Sequence, residues 1–160
     1  MVFVQLSLDN GALREDIIKI LKVDKYYCSS RIHNPPRSID CLIIIKTGEN
    51  QFGLTLIELK NVSNARDLQP KDIRPKFDTT INDFLSLRFS EIFLNNHYQI
   101  SYFRLWLVTD PYHWPPMSIE QYKKKLKGTV LELYLSDKPY QFGNKVALIE
   151  HKPPNTEVCL

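Results

Sequence analysis

The stretch Ser38-Ile39-Asp40-Cys41-Leu42-Ile43-Ile44-Ile45-Lys46-Thr47-Gly48-Glu49-Asn50-Gln51-Phe52-Gly53-Leu54-Thr55-Leu56-Ile57-Glu58-Leu59-Lys60 decides the fold. Residues 39–45 are apolar except for Asp40. Residues 54–60 are apolar at Leu54, Leu56, Ile57 and Leu59 and end in charge. Residues 46–53 are turn chemistry, with Gly48 and Gly53. Two such runs around a glycine-containing turn predict a β-hairpin with a loop of about seven residues. In a symmetric hairpin residue 45 faces residue 53, and Asp40 then falls opposite Glu58. Directly opposed Cβ atoms lie ~4.5–5.5 Å apart. Side chains alternate along a strand, so Lys60 shares the face of Glu58.

Upstream, Leu13, Ile17, Ile20 and Leu21 recur at helical spacing after a cap at Asp9 or Asn10, which predicts a helix ending near Asp24. Residues 25–32 read as a short strand, and His33-Asn34-Pro35-Pro36-Arg37 as a break. Downstream, residues 61–76 carry Pro70 and Pro75 and read as a long irregular connection. A second helix, capped by Asp78 or Thr79, follows with the stripe Ile81, Phe84, Leu85, Arg88 and Ile92. Residues 98–109 are apolar on both faces, as a strand in a sheet covered on both sides would be. Strand, helix, strand over 54–109 predicts a right-handed crossover and a parallel pair. Ser118 and Gln121 match a capping box that opens a short basic helix closing near Gly128. Residues 129–135 and 145–149 read as strands, and the chain from Lys152 as a loose tail. The expected fold is therefore α/β with a mixed central sheet flanked by helices.

Composition agrees with one soluble domain. The 160 residues are 43% hydrophobic and 24% charged, enough for a core and too apolar for bulk disorder. No apolar run approaches the ~18 residues of a membrane span. Met1 leads into Val2-Phe3-Val4 without a basic n-region, so no secretory signal is expected. Cys28, Cys41 and Cys159 are widely spaced and odd in number, which fits a reducing compartment, the cytoplasm, rather than a disulfide scaffold or a zinc ribbon. The net charge of +3 permits a nucleic-acid partner without demanding one. The basic residues cluster at Arg66, Lys71, Arg74 and Lys76, and at Lys123, Lys124, Lys125 and Lys127. Either group also reads as a solvated face.

Asp40, Glu58 and Lys60 are charges in strands that otherwise read as buried. Such charges are paired or bound to metal. Two carboxylates one cross-strand pair apart repel unless a cation lies between them. Mg²⁺ suits the position because it takes oxygen ligands, uses one or two carboxylates and keeps waters for a substrate phosphate. A lysine two residues on would orient the attacking water or balance the charge that develops on the phosphate. A salt-bridged strand end at a sheet margin is the simpler account of the same charges. The apolar setting of Glu58 and the helix and parallel strand after it favour the metal.

Ser38-Ile39-Asp40, the apolar strand, the turn and Leu56-Ile57-Glu58-Leu59-Lys60 together resemble the PD-(D/E)xK nuclease superfamily, which includes restriction enzymes, Holliday-junction resolvases and some homing endonucleases. The superfamily's core order of helix, three strands, helix and strand resembles the order read over residues 10–109. The resemblance implies a restriction-endonuclease-like domain over 1–160, with 118–160 an extension of the core. It implies that Asp40 and Glu58 bind Mg²⁺ (or Mn²⁺ in its place) and that Lys60 is the catalytic lysine. The backbone carbonyl of Leu59 would add a ligand. Ile39 stands where the family has proline. Family members often add an acid on the first helix, for which Glu15 or Asp16 is the candidate. The expected function is Mg²⁺-dependent hydrolysis of DNA, with the two basic groups on phosphates of a duplex. Cutting two strands implies a homodimer or larger homo-oligomer. Phe89, Ile92, Phe93 and residues 98–106 are candidates for its interface.

Other chemistries fit less well. Residues 48–55 have the glycine spacing of a P-loop, but Leu54 stands where its lysine must be. His33, His97, His113 and His151 show no metal-ligand spacing. Tyr112, Trp114 and Tyr122 beside the lysines of 123–127 mix aromatic and basic character, as a nucleic-acid surface does. The rival class is a catalytically inactive nuclease-like module that binds DNA or protein. A third reading is an RNA-directed nuclease, which these residues do not separate from a DNase.

Overall fold

The computed structural model describes residues 5–6, 14–29, 32–135, 138–154 and 156–158. In chain order the strands and helices are β1 (Gln5–Leu6), β2 (Ile18–Leu21), α1 (Val23–Ser29), β3 (Cys41–Gly48), β4 (Gln51–Lys60), α2 (Pro70–Thr79), α3 (Ser90–Phe93), β5 (Gln99–Thr109), α4 (Ile119–Leu126), α5 (Glu132–Leu135), β6 (Tyr140–Phe142), β7 (Lys145–Ala147), β8 (Ile149–Lys152) and β9 (Glu157–Val158). A 3-10 turn, Ala65–Asp67, precedes α2, and a π-helical stretch, Thr80–Arg88, continues it.

The main sheet has the order β2-β3-β4-β5-β8. β3 runs antiparallel to both of its neighbours, β2 and β4, whereas β4, β5 and β8 run parallel. The architecture is thus mixed α/β, and the parallel β4–β5 pair across a helical crossover is as the sequence predicts. So is the register of the β3–β4 hairpin, in which Ile45 faces Gly53 and Cys41 faces Ile57. The connection is shorter than expected. Both strands run on to a turn at Glu49 and Asn50, and an irregularity between Lys46 and Gly48 absorbs the odd residue.

The sheet separates two apolar layers. Leu42, Leu54, Leu56, Leu105 and Ile149 pack with Ile73, Phe77, Ile81 and Phe84 of the crossover helix. On the other face Ile43, Ile45, Ile57, Trp106 and Val108 pack with Ile18 and Val158. Burying each such side chain stabilises the fold by roughly 1.5–3 kcal/mol. Gly53 is required by close packing, because a Cβ there would stand 1.9 Å from Cζ of Tyr102.

Several expected elements differ. Residues 18–21, predicted as helix, form the edge strand β2, where Ile18 and Ile20 pair with Ile45 and Ile43. The β-branched run suits a strand, and the exposed edge of β3 supplies the partner. The expected caps Asp9 and Asn10 lie outside the described residues. Residues 25–29, in the stretch predicted as strand, belong to α1, whose Tyr26 and Tyr27 pack against Phe84 at 5.3 and 6.3 Å between ring centroids. The described core therefore runs strand, helix, two strands, helix, strand, with the helix after the first strand instead of before it. The second helix begins at Pro70, well before Asp78, because proline at the first helical position loses no hydrogen bond. Residues 129–135 form a turn and α5, not a strand. The single strand expected over 145–149 is two, split at Leu148: β7 pairs with β6 and β8 joins the main sheet. β9, in the expected tail, pairs parallel with β1.

Candidate active site

The parallel strands β4, β5 and β8 end at Lys60, Thr109 and Lys152, and the antiparallel β3 begins at Cys41. Asp40, Lys60 and Asp110 therefore gather at one end of the sheet. In open α/β sheets ligands bind outside the carboxyl ends of the strands.

The chain holds Asp40 there by its neighbours. Ile39 is fully buried and donates its N–H to Thr80 Oγ1 at 3.3 Å. This bond uses the N–H that a proline at the same position would lack. Asp40 Oδ2 then accepts the backbone N–H of Leu59 at 2.6 Å. The resemblance offered the Leu59 carbonyl as a ligand; the group seen against Asp40 is the Leu59 N–H. Since Cys41 faces Ile57, Asp40 and Glu58 are the next pair along the hairpin.

Glu58 is fully buried. Its Oε1 accepts from the ammonium of Lys76, while Oε2 is buried and has no hydrogen-bond partner among the described residues. Burial and the neighbouring Asp40 charge push the Glu58 carboxyl up to about 7, against the pull of Lys76. The structure thus joins two predicted site acids and adds a cation assigned by sequence to phosphate binding. Lys76 lies on the buried face of α2, between Ile73 and Phe77. Its three- and four-residue spacing to buried neighbours was a usable signal. The two prolines hid it by making 61–76 read as loop.

Lys60 ends β4 half-buried and, among the described residues, makes no ion pair with either acid. Glu15 and Asp16 are exposed in a turn before β2, and Asp16 is held by Arg14 at 2.8 Å. Their neighbour Ile18 pairs with Ile45, at the other end of β3 from Asp40. Asp24, in the first turn of α1, lies near enough to Cys41 for its charge to be felt there. Burial pushes the Cys41 thiol up to about 12, and the charges of Asp40, Asp24 and Glu58 add to that rise. All three acids therefore act on one sulfur.

The basic residues divide. Arg66, Lys71, Lys123, Lys124 and Lys127 are exposed. Arg74 is drawn inward instead, donating to the Lys138 carbonyl at 3.3 Å and lying 5.8 Å from the Tyr140 ring. Lys125 sits 5.4 Å over the Trp114 ring, which stacks on Tyr112 at 4.8 Å. Arg66, Leu68, Pro70, Tyr112 and Thr129 line an open cleft of ≈ 610 Å³. Its walls leave the carboxyl ends of β4 and β5. Of the histidines, His33, His97 and His113 are exposed. His151 is buried, between the Tyr122 hydroxyl and the Thr109 carbonyl.

The donor set fits a hard divalent cation. Two adjacent carboxylates have one oxygen each fixed by a protein donor, and a further buried oxygen, Glu58 Oε2, has none. Among the described residues no three of His, Cys, Asp and Glu converge on one point. Mg²⁺ does not need three, since one or two carboxylates with water and substrate phosphate complete its shell. No helix among the described residues is long and apolar enough to cross a membrane. Comparison with protein-family models, with curated proteins and with solved structures finds no match to this chain.

Proposed function

We propose that the protein is a Mg²⁺-dependent endonuclease of PD-(D/E)xK type acting on duplex DNA. The observation that carries the reading is the pairing of Asp40 with the fully buried Glu58 at the carboxyl ends of parallel strands, with Glu58 Oε2 lacking a donor. Among the described residues the strand-first opening departs from the family's helix-first order, so the reading rests on the site and not on the element order.

Asp40 and Glu58 hold the ion. When bound, Mg²⁺ polarises a phosphoryl oxygen and makes water a stronger nucleophile. Lys60, on the Glu58 face by strand alternation, balances the charge that develops on the phosphate. Exposed Arg66, Lys71, Lys123, Lys124 and Lys127 contact backbone phosphates, which makes binding salt-sensitive. A homodimer with two-fold symmetry brings one site to each strand.

The test is incubation of supercoiled plasmid with the protein in Mg²⁺ and in EDTA. The expected result is nicking and linearisation in Mg²⁺ only, lost in Asp40→Asn and Glu58→Gln. A folded protein that binds DNA and never cuts it would be a non-catalytic module instead.

A further inference from the structure

The buried face of α2 contains a charge that the fold must accommodate. Ile73, Phe77, Thr80 and Ile81 are buried, and Lys76 stands among them at helical spacing. A lysine so placed needs a partner. It has Glu58 Oε1 and leaves Oε2 bare. An ammonium is a compact point charge that engages one oxygen at a time. Asp40 is treated alike from another element, its Oδ2 held by the Leu59 N–H. Among the described residues Lys60 makes no such contact.

We infer that Lys76 is a positioning residue of the carboxylate site, fixing Glu58 Oε1 so that Oε2 faces a hard divalent cation shared with Asp40. The inference rests on the reading that Asp40 and Glu58 hold that ion.

The test is calorimetric titration of Mn²⁺ into the wild type, Lys76→Met, Lys76→Gln and Lys76→Arg, with thermal unfolding of each to establish that it is folded. Partners that orient metal ligands typically change affinity ~10–100-fold. The wild type is expected to bind Mn²⁺, the folded neutral variants to bind ~10–100-fold more weakly, and Lys76→Arg, whose planar fork can take both Glu58 oxygens, to recover little of the loss. A purely structural ion pair would lower the unfolding temperature and leave Mn²⁺ affinity alone, and that result overturns the inference. If both neutral variants unfold, Lys76 is a folding residue and the assignment falls. A wild type that binds no Mn²⁺ ends the metal reading itself. Normal wild-type binding that the folded neutral variants preserve ends only the role of Lys76.

Discussion

Asp83 and Glu58 are two carboxylates on the helical side of the same sheet, and the fold treats them in opposite ways. Asp83 Oδ2 accepts the Tyr27 hydroxyl at 2.6 Å and Arg88 Nε at 2.5 Å, and the Arg88 guanidinium lies 5.5 Å from the Tyr27 ring. Burial works to raise the Asp83 carboxyl, but those donors outweigh it and hold the group below its usual range. Glu58 is more deeply buried, has one cation on one oxygen and a carboxylate beside it, and is raised. Asp83 ties α1 to the π-helical stretch and is complete without a ligand. Glu58 is incomplete. Leaving a buried charged oxygen without a donor costs several kcal/mol, a cost that a bound cation offsets.

The largest effect expected from this contrast is on chemistry. Asp40→Asn and Glu58→Gln should each lower plasmid cleavage at least ~10³-fold, about 4 kcal/mol of transition-state stabilisation. Asp83→Asn should leave the cleavage rate within a few-fold. A folded Asp83→Asn protein that no longer cuts would break the comparison.

His151 belongs with Asp83 as a satisfied group, and pH is the way to see it. Burial, only partly opposed by the Thr109 carbonyl, lowers its pKa to about 4 from 6.5. Above pH 6.5 the ring is neutral in both states. As pH falls toward 4 the unfolded chain takes up a proton that the folded chain refuses, so stability drops through that window and levels off below it. The loss is at most about 3 kcal/mol. Glu58, raised to about 7, adds stability over the same window as pH falls, so denaturant melts between pH 7 and pH 4 should show the His151 loss as the difference between the wild type and His151→Gln. An unchanged acid limb in the variant would remove His151 from the account.

A smaller effect separates Asp83 from Glu58 in stability. Asp83→Asn should cost about 1–3 kcal/mol, read from the urea midpoint, because the Arg88 pairing is lost. Glu58→Gln should cost less, since a neutral amide is easier to bury than a carboxylate and its oxygen can still accept from Lys76. Equal losses at the two positions would mean that Glu58 is as well satisfied as Asp83. The smallest effect is at the surface. Lys71→Ala and Lys124→Ala should each reduce the slope of log binding constant against log salt by ≈ 0.9, with no change in the unfolding midpoint. An unchanged slope would place that lysine off the DNA path.

What could be read from sequence tracks how local the deciding physics is. The hairpin register followed from two apolar runs and the turn between them, and it put Asp40 beside Glu58. The Ser118–Gln121 capping box is likewise local and is present. Residues 18–29 were not legible, because Ile17, Ile20 and Leu21 satisfy a helical stripe and the free edge of β3, a distant partner, decides for strand. Tyr27 looked like a strand residue until Phe84 and Asp83 gave it a helical setting. Pro70 and Pro75 concealed α2, and with it the lysine that reaches Glu58.

The most direct test of the central claim is thermal unfolding of wild type and Glu58→Gln across a Mg²⁺ series with no nucleic acid present. An ion held by Asp40 and Glu58 stabilises the folded state by RT ln(1 + [Mg²⁺]/Kd), so the wild-type midpoint should climb with Mg²⁺ and the Glu58→Gln midpoint should stay level. A flat wild-type series, or an equal climb in both proteins, would contradict a cation site built on this pair.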